Sequence, residues 1–498
     1  MLMALRLPFY FTRHVQEDAY ISLRSAVNLA LTGVYGFNAG ERVSASTSHL
    51  YVFMAAAIRW LVGESAFIPV VLIINTALFL FGTWFIARTF MSERHKQELL
   101  WIFLSVIPIS LLTSYSGMET SMLVFVIGAL LYFMHTARYR WLVLSGLAAL
   151  PWIRPDAAAF AMLLVFWDVV RRKQMRWPET LAVAIGGVSL LAFNQIYFGA
   201  WLHQSIAAKS LMRHDFTLER FFGNLTTVFV GEAGGFLAPI RTRFFGQFGI
   251  LFVIIVLAAI GFTLWQKRGN RDQWINACSF ASLAILIPIA YAFGGVIYQW
   301  YFWPSAILAA AFPLSLLAAA WDSEKRGWPQ AARAGVAVLF IAGIVAQLVF
   351  SYAWGMKEFA YRGGIGTWLK ENAAEDDRIF LEPAGYIPFY SNLYTYDEVG
   401  LVTPQVVTYR QAYDLRWWPE FVMDFKPDWI IQRGHIMKNQ TYQGYELNDE
   451  EMDWFNENYR LSAHFSFKPE DFATSPNLIR LLTFGEADDY YIFRRLRK

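Results

Sequence analysis

The sequence contains a single cysteine, Cys278, which lies within an apolar run. One cysteine excludes an intramolecular disulfide framework. The chain also has no GxxxxGKS/T phosphate loop, no HExxH pair and no CxxC pair, so nucleotide-driven transport and zinc proteolysis are not indicated. Charged residues make up only 16% of the 498 residues, and the formal net charge of +3 is too small to indicate a nucleic-acid partner.

Apolar residues dominate the chain. Hydrophobic residues make up 56% of it and aromatic residues 17%, and the mean hydropathy is +0.35. Several apolar runs approach the roughly 20 residues that a helix needs to cross a bilayer, and the pattern predicts an α-helical polytopic membrane protein with about 10–11 spans. The runs are 66–90, 99–115, 118–135, 141–153, 157–170, 179–198, 246–265, 274–293, 300–321 and 334–354.

Basic residues cluster in five of the interruptions between these runs. Short loops rich in Lys and Arg stay in the cytoplasm, so we expect the alternate loops, and the chain after about residue 355, to lie outside. These outer segments carry Glu119, Arg154, Asp156, Lys209 and Tyr298. The arrangement is typical of an enzyme that works at the outer surface. The basic residues are Arg88, Arg94 and Lys96; Arg138 and Arg140; Arg171, Arg172, Lys173 and Arg176; Lys267, Arg268 and Arg271; and Lys325, Arg326 and Arg333.

The first 65 residues do not fit a simple alternation of spans. The run at 50–63 contains Arg59 and is predicted to be a re-entrant or surface-lying helix. Residues 1–12 are apolar but too short to cross, and Arg6 interrupts them, so they form neither a span nor a signal peptide. We expect that an upstream helix is missing from this start, or that residues 1–16 are its remnant.

Two domains are predicted. Residues 1–360 form a transmembrane catalytic domain with an outer catalytic loop at about 17–65 and a second outer loop at about 199–245, and residues 361–498 form a soluble extracytoplasmic α/β domain. In the second domain, strands are predicted at Arg378–Leu381, Trp429–Gln432 and Tyr490–Phe493, and helices at Thr367–Asn372 and Glu450–Asn458. The aromatic residues Trp417, Trp418 and Tyr386 through Tyr396 form either a sugar platform or, as we prefer, the hydrophobic core of this domain.

Adjacent acids and outer-loop cations suggest transfer chemistry. Either Glu17 or Asp18 can act as a general base toward a sugar hydroxyl, hold a metal ion or cap the following helix. Arg154 and Lys209 suit a phosphate, with Asp156 fixing the arginine, or they form an interfacial turn and a snorkelling lysine. Glu119 stands at a helix start, where an acid suits the helix dipole.

Four segments in series resemble bacterial membrane arabinofuranosyltransferases of the terminal β-1,2 type. The family's first outer loop typically contains DDAYI, FRYA-x-N and GLVFNPGERVEGYTS, and a later segment contains YYG-x-PLPN-x-FYAK. The matching segments here are EDAYI at 17–21 with Arg24 and Asn28, GFNAGERV at 36–43 with Thr47 and Ser48, GMET at 117–120 with RPD at 154–156, and YFGAWLHQSIAAK at 197–209. The resemblance covers nearly the whole chain in the same order, and Asp397 and Gly400-Leu401 lie in a segment similar to the family's tail domain.

The resemblance implies the GT-C fold and transfer of a sugar, arabinofuranose, from a polyprenyl-phosphate donor to a cell-envelope glycan or other acceptor outside the cytoplasm. Asp18 takes the place of the general base and Glu17 that of the first acid, while Lys209, Arg154 and Asp156 become the donor-phosphate-binding residues. Glu119, Arg24 and Tyr298 are further candidate site residues. A divalent cation, Mg or Mn, is an expected cofactor, held by Glu17 or Asp18 if by either. The bacterial inner membrane is the implied location, with the active site and the C-terminal domain outside.

The chain departs from the family pattern at three places. Glu17 replaces an aspartate, His203 and Gln204 replace a proline and an asparagine, and Ser44 replaces an acid. Two alternatives to a transferase remain open: a polytopic transporter or flippase of a lipid-linked envelope precursor, and a glycan-binding or assembly protein that has lost its chemistry. The retained Asp18 and the outer position of the charges favour the enzyme.

Overall fold

The computed structural model describes residues 1–211, 216–226, 242–295, 298–321, 329–433, 441–442, 445–468 and 489–496. The predicted second outer loop, with Arg213, His214, Asp215, Glu232 and Arg241, therefore lies partly outside the described residues. The helices before residue 356 are α1 (Leu7–Phe11), α2 (Ala19–Thr32), α3 (His49–Phe90), α4 (Arg94–Val106), α5 (Pro108–Tyr115), α6 (Thr120–Thr136), α7 (Arg140–Ile153), α8 (Ala157–Arg172), α9 (Trp177–Phe193), α10 (Gln204–Ser210), α11 (Leu218–Thr226), α12 (Thr242–Lys267), α13 (Arg271–Phe293), α14 (Gln299–Trp321) and α15 (Gln330–Gly355).

The apolar helices form a membrane-spanning bundle. Within the described part of the chain, five helices are long and apolar enough to cross a bilayer, and the bent pair α4 and α5 brings the count to six. Three further apolar helices, Thr120–Thr136, Arg140–Ile153 and Val253–Lys267, are shorter. The prediction of a polytopic helical membrane protein is confirmed, while the number of spans stays a prediction.

Two of the apolar runs in the sequence do not form one straight helix each. The run at 50–63 belongs to α3, but the helix breaks at Gly63, whose φ of 75° and ψ of −169° are favourable only for glycine. The segment before the break is therefore distinct from the helical segment that follows, and its predicted re-entrant or surface-lying placement stays a prediction. The run at 99–115 is not one straight helix, because α4 and α5 meet at an angle of 70° just before Pro108. A proline begins a new helix more readily than it continues one.

The C-terminal domain is a mixed sheet with helices. Its strand order is β2-β1-β3-β7-β6, with β1 parallel to β2 and β3, and β7 antiparallel to β3 and β6. The elements are α16 (Gly364–Asn372), β1 (Arg378–Leu381), α17 (Tyr386–Ser391), β2 (Tyr394–Asp397), α18 (Pro404–Tyr413), α19 (Trp417–Phe425), β3 (Trp429–Arg433), β4 (Thr441–Tyr442), β5 (Tyr445–Glu446), α20 (Asp449–Asn458), β6 (Tyr459–Phe465) and β7 (Tyr490–Arg495).

The strands and helices predicted in this domain are confirmed, and so is the core interpretation of its aromatic residues. Trp417 and Trp418 are 3% and 6% exposed and pack with Phe380 and Phe421 in one core cluster. Tyr386 is fully buried between the domain and the bundle. No linker separates the two parts, because α15 continues through a π-helical segment, Met356–Gly363, into α16.

The buried guanidinium of Arg24 joins the two parts. It donates to the backbone oxygens of Phe37 at 2.9 Å, Pro388 at 2.5 Å and Leu393 at 2.6 Å. Phe37 precedes α3, whereas Pro388 and Leu393 belong to the C-terminal domain. A buried charge is tolerated only when its hydrogen bonds are satisfied. Arg24 is thus a structural clamp, and the structure does not support the predicted site role for this residue.

A second contact continues the clamp along strand β2. The side-chain amide of Asn38 donates to the Thr395 carbonyl at 3.0 Å and accepts from the Thr395 N–H at 2.9 Å. The Tyr394 hydroxyl donates to Glu41 at 2.6 Å. The loop between α2 and α3 therefore pairs with the edge strand of the domain, which also protects that edge.

We expect Arg24→Ala to destabilise the protein, because it leaves three buried carbonyls without their charged donor. The loss should be about 3 kcal/mol, measured as a lower apparent melting temperature in detergent. Arg94→Ala is the matched control, since Arg94 is 81% exposed in its pair with Glu98. Equal melting temperatures for the two variants would contradict the clamp.

The predicted orientation can be measured with single cysteines in a Cys278→Ser background. Arg138 lies in a predicted cytoplasmic loop and Glu450 in the C-terminal domain, and both are exposed. A membrane-impermeant maleimide applied to intact spheroplasts should label Glu450→Cys and not Arg138→Cys until the membrane is opened. The reverse pattern would invert the topology.

Candidate active site

One cavity collects residues from five segments of the bundle and one loop of the C-terminal domain. Asp18 precedes α2, residues 45–48 precede α3, Glu119 precedes α6, Lys209 ends α10, and Trp300 and Tyr301 begin α14. Of the predicted site residues, Asp18, Glu119 and Lys209 line this cavity. The structure therefore brings together two acids and one base that are up to 191 residues apart in the sequence.

Asp18 is the acid at the start of α2. Its side chain makes no capping hydrogen bond to the helix, so it does not take the capping role that a residue at this position often has. Burial raises the pKa of Asp18 above its ordinary range, and the Lys209 ammonium lowers it in part. A carboxylate in this setting binds a proton more readily than an exposed aspartate, as a general base must.

Lys209 is held by aromatic rings. Its ammonium lies 4.7 Å from the ring centre of Tyr298 and 5.6 Å from that of Tyr301. Burial lowers the pKa of Lys209, but Tyr301 and Asp18 raise it, and the net pKa is raised. The side chain therefore stays cationic, which is the form that can neutralise a phosphate. Tyr298, a predicted candidate, acts here as a contact of Lys209.

Arg154 lies behind the cavity wall. It is 1% exposed. Its Nε donates a hydrogen bond to one carboxylate oxygen of Asp156 at 3.1 Å, and its Nη2 donates to the other at 2.5 Å. Its Nε lies 3.8 Å from Glu119, and its guanidinium stacks 4.4 Å from the ring centre of Tyr301. One terminal nitrogen, Nη1, is buried without a hydrogen-bond partner among the described residues. Arg154 thus supports the two wall residues and keeps one donor free.

Glu17 faces away from the cavity. Its Oε1 accepts the Tyr386 N–H at 3.0 Å, and its Oε2 lies 3.4 Å from the guanidinium of Arg362. A side chain at Gly385 would come within 2.2 Å of the same carboxylate, so glycine is required there. Burial raises the pKa of Glu17, and Arg362 opposes this effect. Glu17 links the two domains, and these contacts give no support to the catalytic role predicted for it.

Three residues that depart from the motif pattern, Ser44, His203 and Gln204, contact one another beside the cavity. The Ser44 hydroxyl and His203 Nδ1 are 2.7 Å apart. The Gln204 N–H donates to the Ser44 carbonyl at 3.1 Å, and its side-chain amide donates to the Gly400 carbonyl at 2.9 Å. Ser44 therefore joins His203 and Gln204 into one connected group next to the site.

Sequence reasoning missed the hydroxyl groups of the cavity and Tyr301. Ser22 and Ser46 are joined by a hydrogen bond of 2.7 Å, and the buried hydroxyl of Ser205 has no hydrogen-bond partner among the described residues. All three line the cavity together with Tyr301. Tyr298 and Tyr301 are three residues apart in the sequence, and this spacing is a signal for a cation shared by the two rings.

The acids present limit how a metal ion could be held. Among the described residues, no three His, Cys, Asp or Glu side chains gather into a metal-binding group. Asp18 and Glu119 are the two carboxylates of the cavity. Two carboxylates suit only an ion that takes its other ligands from water and a phosphate, as Mg²⁺ commonly does.

Comparison with known proteins adds three findings. Residues 352–493 match the family described as domain of unknown function (DUF8728). No curated protein matches the sequence. The structure is similar to that of ArnT from Cupriavidus metallidurans bound to undecaprenyl phosphate, with a TM-score of 0.59, 12% identity, and coverage of 88% of this chain and 93% of ArnT.

The structure of ArnT without ligand is similar to this chain to a comparable degree. ArnT from Cupriavidus metallidurans in the apo state matches with a TM-score of 0.53 and 14% identity over 87% of this chain and 92% of that one. Identities this low establish the fold alone. The chain has the GT-C fold, a membrane-spanning helical bundle followed by a C-terminal α/β domain.

Proposed function

We propose that this protein is a membrane glycosyltransferase that moves a sugar from a polyprenyl-phosphate donor to a hydroxyl group of an acceptor outside the cytoplasm. The observation that carries the proposal is the shared cavity of Asp18 and Lys209. One of them can accept a proton, and the other can neutralise a phosphate. The likeness of the fold to ArnT bound to undecaprenyl phosphate supports a lipid-phosphate donor.

The reaction is a single inverting displacement. The acceptor hydroxyl enters beside Asp18, which takes its proton as the oxygen attacks the anomeric carbon. A new glycosidic C–O bond forms, the C–O bond to the phosphate breaks, and polyprenyl phosphate leaves with the electron pair. General bases of this kind contribute on the order of 10²–10⁴ in rate.

Lys209 stabilises the departing phosphate. Its two aromatic neighbours fix the ammonium without neutralising it, because a ring face offers no full negative charge. Arg154 adds positive potential from behind Tyr301. If a divalent cation takes part, Asp18 and Glu119 would hold it, and it would supply further charge neutralisation.

The sugar contacts the hydroxyl-lined part of the cavity. Ser205 offers an unpartnered hydroxyl there, and Ser22 and Ser46 offer two more. Arabinofuranose is the sugar that the motif resemblance favours, and a cell-envelope glycan the acceptor. The contacts of Ser44, His203 and Gln204 beside the cavity are where a different sugar preference would arise.

The direct test incubates the purified protein in lipid nanodiscs with radiolabelled polyprenyl-phosphate pentoses and hexoses. One donor should be transferred, or slowly hydrolysed when no acceptor is present. Asp18→Asn should lower this turnover by about 10²-fold or more, because the amide cannot take the proton.

Glu17→Gln is the control for that variant. Glutamine keeps an acceptor for the Tyr386 N–H, and the position faces away from the cavity. Turnover in Glu17→Gln should stay within a few-fold of wild type. A loss as large as that of Asp18→Asn would return Glu17 to the catalytic pair. Binding without turnover in wild type, together with movement of the lipid across vesicles, would support a flippase instead.

The pH dependence gives a separate test of the base. Asp18 acts only when ionised, so the rate falls as the pH drops through its pKa, which burial raises above the ordinary 3.8. Lys209 lowers that pKa, so Lys209→Met should move the acidic limb of the pH–rate profile to higher pH, in addition to lowering kcat. The exposed Lys370 provides the control, Lys370→Met. If the acidic limb does not move in Lys209→Met, the group that titrates in the pH–rate profile is not Asp18.

A further inference from the structure

A loop of the C-terminal domain, Asp397–Thr403, follows β2 and reaches the cavity. Its shape depends on one buried carboxylate. Asp397 accepts the Val402 N–H at 2.8 Å and the Leu401 N–H at 2.7 Å, and its own N–H donates to the Thr403 hydroxyl at 2.8 Å. The turn between them is completed by Gly400, whose φ of 87° favours glycine.

This loop contacts three segments that line the cavity, and two of them carry Asp18 and Lys209. Val402 packs with Ile21 and Ala45 in one apolar cluster, and Ile21 lies one helical turn after Asp18. The Gly400 carbonyl accepts the side-chain amide of Gln204 at 2.9 Å. Gln204 begins α10, the short helix that ends beside Lys209.

Leu401, in the same loop, lines the cavity together with Asp18 and Lys209. It is the residue through which the C-terminal domain forms part of the wall. The backbone of Leu401 is held by the buried carboxylate of Asp397. This hydrogen bond fixes where the Leu401 side chain stands relative to Asp18 and Lys209.

We propose that the loop Asp397–Thr403 is a working part of the transfer site, in which Asp397 is a positioning residue for Lys209 and Leu401 is a wall on the acceptor side. The link runs from Asp397 through the Gly400 carbonyl to Gln204 and α10. The role of Leu401 rests on the proposed transferase function, whereas the link to α10 does not.

The acceptor side follows from where the two substrates come from. A polyprenyl chain stays in the bilayer, so its phosphate approaches from the membrane. Leu401 belongs to the α/β domain that follows the last apolar helix, and not to the helical bundle that the lipid contacts. A molecule that contacts Leu401 therefore enters between the domain and the bundle, as an acceptor would.

The first experiment compares wild type with Asp397→Asn, because asparagine can accept only one of the two N–H groups. Hydrogen–deuterium exchange of α10 should become about tenfold faster, and the Kd for undecaprenyl phosphate about tenfold weaker, which corresponds to about 1.4 kcal/mol. Gln204→Leu should reproduce both changes without altering the loop.

Asp428→Asn is the matched control, because Asp428 also accepts a backbone N–H and binds an arginine within the same domain but outside the loop. Unchanged exchange in α10 of Asp397→Asn would overturn the proposal, and so would faster exchange with undiminished binding. Faster exchange in a protein whose wild type binds no polyprenyl phosphate would refute the proposed function and leave the link to α10 standing.

A second variant tests the wall. Leu401→Ala should lower the KM for bulky acceptors, or admit acceptors that wild type rejects, while the Kd for undecaprenyl phosphate stays the same. A change in Kd with no change in acceptor preference would place Leu401 on the donor side and overturn this part of the proposal.

Discussion

The buried guanidinium of Arg24 is the contact on which the site depends. It binds carbonyls of the loop before α3 and of the C-terminal domain at once, and it lies on α2, the helix that Asp18 precedes. Removing a charge from water is unfavourable unless its donors are satisfied. Separating the C-terminal domain from α2 would leave this charge without two of its acceptors.

Charge is distributed unequally around that cavity. Asp18 and Lys209 line it directly, while Arg154 stands behind Tyr301 with Asp156 as its fixed partner. In the proposed transfer, Lys209 is the cation that faces the departing phosphate, and the contact with Asp156 holds Arg154 behind the cavity wall. Preorganised charge in a site of low dielectric constant is the usual source of a large rate effect. Glu17, the acid next to Asp18, has a structural role instead, since its contacts with Tyr386 and Arg362 join the domains.

Local patterns predicted most elements, and long-range contacts account for what they missed. The strands at 378–381, 429–432 and 490–493 were predicted within two residues of their observed ends, because each is a short apolar run between polar turns. Asp18, Glu119 and Lys209 were found through motifs and do meet in one cavity. The orientations of the Glu17 and Arg24 side chains depend on partners more than 340 residues away in the sequence. The periodicity of hydrophobic residues gives no information about such contacts. Leu401 was missed as a wall residue for the same reason.

The proposed function requires the cavity beside Asp18 to receive a lipid phosphate. A cryo-EM structure of the protein with undecaprenyl phosphate tests this requirement most directly. We expect the phosphate within hydrogen-bond distance of Lys209 Nζ, with the polyprenyl chain leaving toward the bilayer and open space remaining between Asp18 and Leu401. A phosphate bound elsewhere, with the cavity unoccupied at saturating lipid, would contradict the proposed function.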